Sequence, residues 1–420
     1  MSRSQLLQPS HGVQLLQGGR DFFPALIEAV DSASRWVQLE TYIFDTNGVG
    51  AQVIEALLRA AARGVSVQVL VDGIGSPALP ADWQQKVDAS GIKWCIYSPL
   101  GTAWLGLGLL RPSSWRRLHR KLCVIDQRVV FCGGINVLDD FYDPNHGRLE
   151  APRFDFAVVI TGPLALEAAE AVGLLWWRVQ AGYSARQRHL GVAWEKFKAA
   201  GYGGRTTTAE LGDAVPTTVF DPQTSQTFTS ARAALVLRDN LRNRASIERA
   251  YLKAIGRAKH DILVANAYFV PGGKLRRALL GAARRGVKVT LLLQGKYEYF
   301  MQFHAARPVY DSLLRAGIEI HEYEASFLHA KVAVVDGYWA TVGSSNLDPL
   351  SLLLAREANV VLEDKVFAAE LAHSIRSATA AHGRRLDPTA HGRRPWRQRC
   401  LDWVAYGLMR AAIFVTGKRY

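Results

Sequence analysis

Apolar and polar positions along this chain follow two rhythms, one of period two and one helical, and the same order of rhythms occurs twice. Val13-Gln14-Leu15-Leu16 opens the segment 12–30, in which Phe22, Phe23, Leu26, Ile27 and Val30 recur at helical spacing. Residues 36–44 read as a strand, and 53–62 as a helix with Gly64 suited to the position just past its end. Residues 65–71 read as a buried strand stopped by Asp72-Gly73. The second half repeats the order. A helix is predicted over 247–258, a strand over 262–269, a helix over 275–285 ending at Gly286, and a strand over 287–293 stopped by Gln294-Gly295. The pairs Tyr42/Tyr268, Gly64/Gly286 and Gly91/Gly317 are offset by 226, 222 and 226 residues. Strand–helix–strand order at that spacing predicts two tandem α/β domains related by pseudo-two-fold symmetry, with mixed sheets flanked by helices. The repeat is too long for a solenoid.

The strongest repeated stretch lies deeper in each half. The first copy is Leu118-His119-Arg120-Lys121-Leu122-Cys123-Val124-Ile125-Asp126, and the second is Leu328-His329-Ala330-Lys331-Val332-Ala333-Val334-Val335-Asp336. Each continues, after six residues, into a Gly-rich turn ending in Asn: Gly133-Gly134-Ile135-Asn136 and Gly343-Ser344-Ser345-Asn346. His and Lys two apart on a strand point to one face, and the glycines let backbone approach closely. Packed face to face, the halves would bring together two imidazoles, two ammonium groups and two amides. That set suits a phosphodiester. Imidazoles can divide nucleophilic and acid–base work, while Lys121, Lys331, Asn136 and Asn346 hold the phosphate oxygens.

The pattern H-x-K-x4-D-x6-G-[GS]-x-N in both halves resembles the phospholipase D superfamily. The stretch from Gly343 to Glu357 resembles, within it, the bacterial cardiolipin synthases of the B type. The likeness runs from about Gly12 to about Ile375. It implies a phosphatidyltransferase working through a phosphohistidine, with His119 as nucleophile and His329 as acid and base. It implies phospholipid substrates, phosphatidylglycerol first and phosphatidylethanolamine second. His119, Lys121, Asp126, His329, Lys331 and Asp336 form the candidate catalytic motif. Within it Asp126 and Asp336 read as structural, capping the turn that follows or pairing with a basic group. Glu357, 28 residues after His329, and Asp155, 36 after His119, open similar apolar strands and are candidates to orient the imidazoles. No acidic or Cys/His metal cluster is apparent, and no cofactor is expected. Hydrolysis by a phospholipase or nuclease, and a non-catalytic anionic-lipid scaffold, are the alternative functions. Intact motifs in both halves argue against the scaffold.

The composition adds a partner and a place. Net charge is +14, a field that favours an anionic partner. Few aromatics are arranged as a strand platform, which argues against nucleic acid. Cys95, Cys123, Cys132 and Cys400 lack zinc spacing; Cys123 and Cys132 read as small core residues, which suits a reducing compartment. No run of about 20 apolar residues is present, so contact with the cell membrane is expected to be peripheral, on the cytoplasmic face. Two segments could make that contact. One is the loop 98–117, about sixteen residues longer than its counterpart, where Trp104 and the Leu-Gly run precede Arg111, Arg116 and Arg117. The other is 396–420, where Trp396, Trp403 and Leu408 mix with Arg397, Arg399 and Arg410 as in an interfacial helix. Burial of each against the protein's own core is the competing reading. The predicted domains are 1–205, a linker over 206–230, 231–380, and a basic aromatic tail over 381–420.

Overall fold

The computed structural model describes residues 7–76, 78–98, 116–186, 229–239, 243–298, 300–353 and 355–415. The Trp104 loop and nearly all of the 206–230 linker lie outside the described residues.

In the first half β1 (Gln8–Gln17) precedes α1 (Gly18–Asp31), β2 (Trp36–Thr41), α2 (Val49–Ala62), β3 (Ser66–Asp72), α3 (Ala81–Ser90) and β4 (Lys93–Tyr97). Then come β5 (Leu122–Ile125), β6 (Val129–Gly133), the short ribbon β7 (Tyr142–Asp143) and β8 (Gly147–Arg148), β9 (Phe156–Thr161) and α4 (Leu164–Arg186). The second half runs β10 (Thr229–Arg238), α5 (Ser246–Arg257), β11 (Asp261–Asn266), α6 (Gly273–Arg284), β12 (Lys288–Gln294), α7 (Phe300–Leu314) and β13 (Glu319–Tyr323). It continues with β14 (Lys331–Val335), β15 (Trp339–Gly343), α8 (Pro349–Leu353), β16 (Glu357–Glu363) and α9 (Lys365–His382). β17 (Gly383–Arg385), α10 (Pro388–Gly392) and α11 (Trp396–Val415) follow.

The two halves share one fifteen-stranded sheet, β17-β13-β12-β11-β14-β15-β16-β10-β1-β9-β6-β5-β2-β3-β4. Outward from the β1–β10 pair, each strand meets its counterpart at the same rank, with β17 added at one edge. β1 and β10 pair antiparallel (Gly12 with Ser230), so the apolar Val13-Leu15-Leu16 stretch is the central strand of the molecule and the helix begins only at Gly18. Phe156–Ile160 is buried at every position, as a strand covered on both faces must be. α4 and α9 cover one face; α1 and α2 cover the other in the first half, and α5, α6 and α7 in the second. Helix faces follow the predicted spacing, as in Ile247, Tyr251, Ala254 and Ile255 of α5. Strands β2 and β11 end earlier than the apolar runs imply, because the chain turns at Tyr42 and Tyr268 toward a cavity. Cys123 and Cys132 are buried, as expected of core thiols.

At the far end of the fold, α11 lies along α7. Ala405 and Met409 are buried there, and Asp402 bonds His304 Nδ1 and Arg394, each at 2.7 Å. The other face of α11 leaves Trp396 70%, Trp403 55% and Leu408 57% exposed. No helix among the described residues is long and apolar enough to cross a membrane.

The hairpins β5–β6 and β14–β15 explain the motif's aspartates. Asp126 and Asp336 sit in the hairpin turns at φ +50° and +52°, a region Asp tolerates better than most residues. Asp126 accepts from the backbone N–H groups of Ser34, Arg35 and Trp36, and Asp336 from those of Lys259, His260 and Asp261. Each therefore ties its hairpin to the start of the neighbouring strand. Burial pushes each carboxyl up, but these N–H groups together hold both below the usual value. Asp336→Ala is expected to cost about 2–3 kcal/mol in a urea melt, with Asn restoring much of it, because an amide oxygen still accepts and Asn tolerates positive φ.

Candidate active site

Each histidine enters the site on a short bridge to the other half. His119 N–H donates to Arg356 O at 3.0 Å and Arg356 N–H to Arg117 O at 2.8 Å; His329 N–H donates to Phe154 O at 2.9 Å. These bridges lay each His-x-Lys segment beside the first residues of the other half's carboxylate strand. The carboxylates consequently cross over. His119 Nδ1 lies 3.0 Å from both oxygens of Glu357, and His329 Nδ1 lies 2.6 Å from Asp155 Oδ2. Nδ1 is thereby the donor nitrogen, and the lone pair resides on Nε2.

The two carboxylates are buried and supported differently. Glu357 also accepts from Ser344 Oγ at 2.5 Å. At the matching position, Gly134 has no side chain, and an added Cβ would come within 2.2 Å of Asp155 Oδ1. Asp155 Oδ1 instead accepts from Phe156 N–H at 2.8 Å. Burial pushes the Asp155 carboxyl up to about 6.

Lys121 and Lys331 are 5% and 0% exposed, and each ammonium donates to the carbonyl of the histidine two residues before it. Burial, against the pull of Glu357, drops Lys121 to about 7 and lowers Lys331 as well. Burial also lowers His119, although Glu357 opposes it, and lowers His329 strongly, with Lys331 adding to the effect.

His119, His329, Asn136, Asn346 and Asp155 line one cavity of about 630 Å³. Asn136 Oδ1 accepts from Ile43 N–H at 3.2 Å, which leaves its amide hydrogens for a ligand. Asp126 and Asp336 do not line the cavity; they act at the hairpin turns, and neither turns to a basic group. Several contributors carry no motif. Asp72 Oδ2 and Gln294 Oε1 accept the N–H of Leu118 and Leu328 at 2.8 and 3.1 Å, holding the residue before each histidine. Tyr42 packs 5.0 Å from the His119 ring, and Tyr268 Oη donates to Glu298 at 2.7 Å. The repeated Tyr42/Tyr268 offset was the available signal for the tyrosines; Ser344 lay inside the Gly-rich turn without a distinguishing partner in sequence.

A duplicated α/β fold with two imidazoles and two asparagines lining one cleft, and a buried lysine two residues after each imidazole, defines the phospholipase D-like class of phosphodiester enzymes. The family described as "Cardiolipin synthase, PLD-like domain" matches residues 26–146 and again 251–378, and the chain belongs to that family. It is 36% identical over 375 residues to cardiolipin synthase B of Salmonella typhi, covering 87% of this chain and 79% of that protein. Against cardiolipin synthase B of Escherichia coli K12 the identity is 36% over 367 residues, 86% and 79% of the two chains. The fold is also that of a phosphatidylserine synthase from Haemophilus influenzae Rd KW20, at TM-score 0.66 and 14% identity over 96% of this chain and 94% of the other.

The lowered imidazoles and the half-charged Lys121 give a signed expectation. An anion entering the cavity favours the cationic forms, so sulfate binding should take up protons near neutrality and weaken as pH rises through about 7. Sulfate keeps its own charge there. Calorimetric titration in buffers of different ionisation enthalpy reads the uptake; proton release would contradict these pKa directions.

Proposed function

We propose that this chain is a phosphatidyltransferase that makes cardiolipin, moving a phosphatidyl group from one phospholipid, phosphatidylglycerol or phosphatidylethanolamine, to the headgroup glycerol hydroxyl of a phosphatidylglycerol. The reading rests on the crossed imidazole–carboxylate pairs, which present two Nε2 lone pairs to one cavity. His119 Nε2 attacks phosphorus. A P–N bond forms as the P–O bond to the leaving alcohol breaks, and His329, protonated at Nε2 once the phosphodiester anion is bound, gives that oxygen a proton. The acceptor hydroxyl then returns a proton to His329 Nε2 as its oxygen attacks, and the P–N bond breaks. The uneven support of the carboxylates favours these roles. Glu357 accepts from Ser344 Oγ as well as from His119, whereas Asp155, raised to about 6, can share the proton that His329 cycles. Lys121, Lys331, Asn136 and Asn346 hold the non-bridging oxygens.

His119→Ala and His329→Ala should each lower turnover by at least about a thousandfold, and their effects should not add, because the two act as a unit. A labelled phosphatidylglycerol donor quenched in base should leave label on His119 in the native protein. Label on Asp, Ser or His329 would reject the assignment.

The substrate is a lipid, and the reading includes peripheral attachment to an anionic membrane surface, on the cytoplasmic side that free thiols suit. Exposed Ile74, Phe141, Tyr142, Tyr297 and Phe300 adjoin or line the cavity, and α11 turns Trp396, Trp403 and Leu408 outward beside Arg397 and Arg399. Replacing both Trp396 and Trp403 with Ser leaves the buried face of α11 intact. It should weaken sedimentation with phosphatidylglycerol vesicles about tenfold or more without lowering the melting temperature. Unchanged sedimentation would remove α11 from the membrane contact.

A further inference from the structure

The two walls of the cavity are related by the repeat, yet their chemistry differs. Beside the charged Arg117, Asp140 and Arg153, the first half contributes the apolar Ile43, Ile74, Ile135 and Leu138. The second contributes Glu298, Gln302, Asp348 and Ser351. Matched positions show the change directly. Leu138 and Asp348 both lie two residues after the motif asparagine, and Ile135 and Ser345 both lie one before it. Gly73 and Gly295 each donate to the Tyr ending the neighbouring strand, at 2.9 and 3.1 Å, which aligns the loops beyond β3 and β12. On that alignment Ser76 stands where the second half has Glu298. Ser76 Oγ turns back to Tyr42 O at 2.9 Å, whereas Glu298 lines the cavity and accepts from Tyr268 Oη and Gln294 Nε2. The β7–β8 ribbon adds Asp143 and Asn145 to the cavity lining, and Asp143 is close enough to help raise Glu298, after burial.

Carboxylates crowding a site built for a phosphate anion oppose its binding, so they need another reason to be there. We propose that Glu298, Tyr268 and Gln302 form an alcohol subsite beside His329 that takes the small polyhydroxy headgroup, first of the leaving alcohol and then of the acceptor. The apolar wall beside His119 takes the glycerol-ester end of the donor. This assignment rests on the phosphatidyltransferase reading above. Glu298 has one carboxylate to offer hydroxyl hydrogens, and its placement on the acid/base side puts a vicinal diol within reach of His329 while one hydroxyl faces phosphorus. Specificity for the acceptor therefore resides on one wall, and tolerance of acyl chains on the other.

Internal competition tests this without reference to total rate. The intact chain is incubated with phosphatidylglycerol carrying a labelled phosphatidyl group, together with equal concentrations of unlabelled 1,2-propanediol and ethanol, and labelled products are resolved by mass spectrometry. The native protein should favour the diol over ethanol. Glu298→Leu should lower the diol-to-ethanol ratio about tenfold, the worth of one charge-assisted hydrogen bond, and Glu298→Gln should lower it less. A product ratio is independent of the fraction of protein that is folded. If both variants keep the native ratio, the subsite assignment is wrong. If the native protein forms no labelled product or phosphatidyl adduct at all, the transferase reading fails instead.

Discussion

Each motif imidazole depends on a carboxylate that the other half supplies. A strand of either half alone would present His and Lys on one face, but with the ring free to spin and its tautomer unset. The bridges from His119 to Arg356 and from His329 to Phe154 remove that freedom by placing Glu357 and Asp155 against Nδ1. The pairing of β1 with β10 makes the bridges possible, since it fixes the two halves in a single sheet and so sets the separation of their strand ends. Orientation of the reactive groups and association of the halves are thus one event.

Charge balance follows from the same crossing. Lys121 and Lys331 are buried with Glu357 and Asp155, so in their charged forms these four groups balance while both imidazoles are uncharged. Burial of an unbalanced ion would cost several kcal/mol. A phosphodiester brings one negative charge, and one imidazolium offsets it. In the proposed reaction the substrate itself thereby stabilises the single proton that the leaving alcohol requires, and burial keeps a second proton away from the nucleophile.

Much of this arrangement was readable from residue order, because duplication turns weak signals into offsets that can be checked. The motif histidines and asparagines line one cavity, the motif lysines are buried against the histidine carbonyls, and Asp155 and Glu357 are the carboxylates that reach the imidazoles. The crossing was not readable. Spacing along the chain invites pairing within a half, and only the three-dimensional bridge reveals the exchange. The role of Asp126 and Asp336 was half legible: the turn was expected, but the N–H groups they accept belong to a strand some 75 to 92 residues away. The amphipathic reading of 396–420 had two competing partners, and the helix in fact divides its faces between α7 and solvent. A face seen on a helical wheel cannot distinguish these, since Ala405 and Met409 bury as readily in protein as in lipid.

Where the two halves remain alike and where they part is itself informative. A displacement through a covalent intermediate passes phosphorus twice over the same oxygens, so Lys121 with Lys331 and Asn136 with Asn346 have reason to stay matched. In the proposed reaction the two histidines have unlike tasks, and their supports differ: Ser344 holds Glu357, whereas Gly134 leaves that position to the Asp155 carboxylate itself. Substrates are less symmetric still, with an apolar ester at one end and a hydroxylated headgroup at the other, and the walls differ most, Leu138 against Asp348 and Ser76 against Glu298. The motif groups match across the repeat while the walls do not, as expected if the chemistry constrains both sides of the site equally while each wall answers to a different part of the lipid.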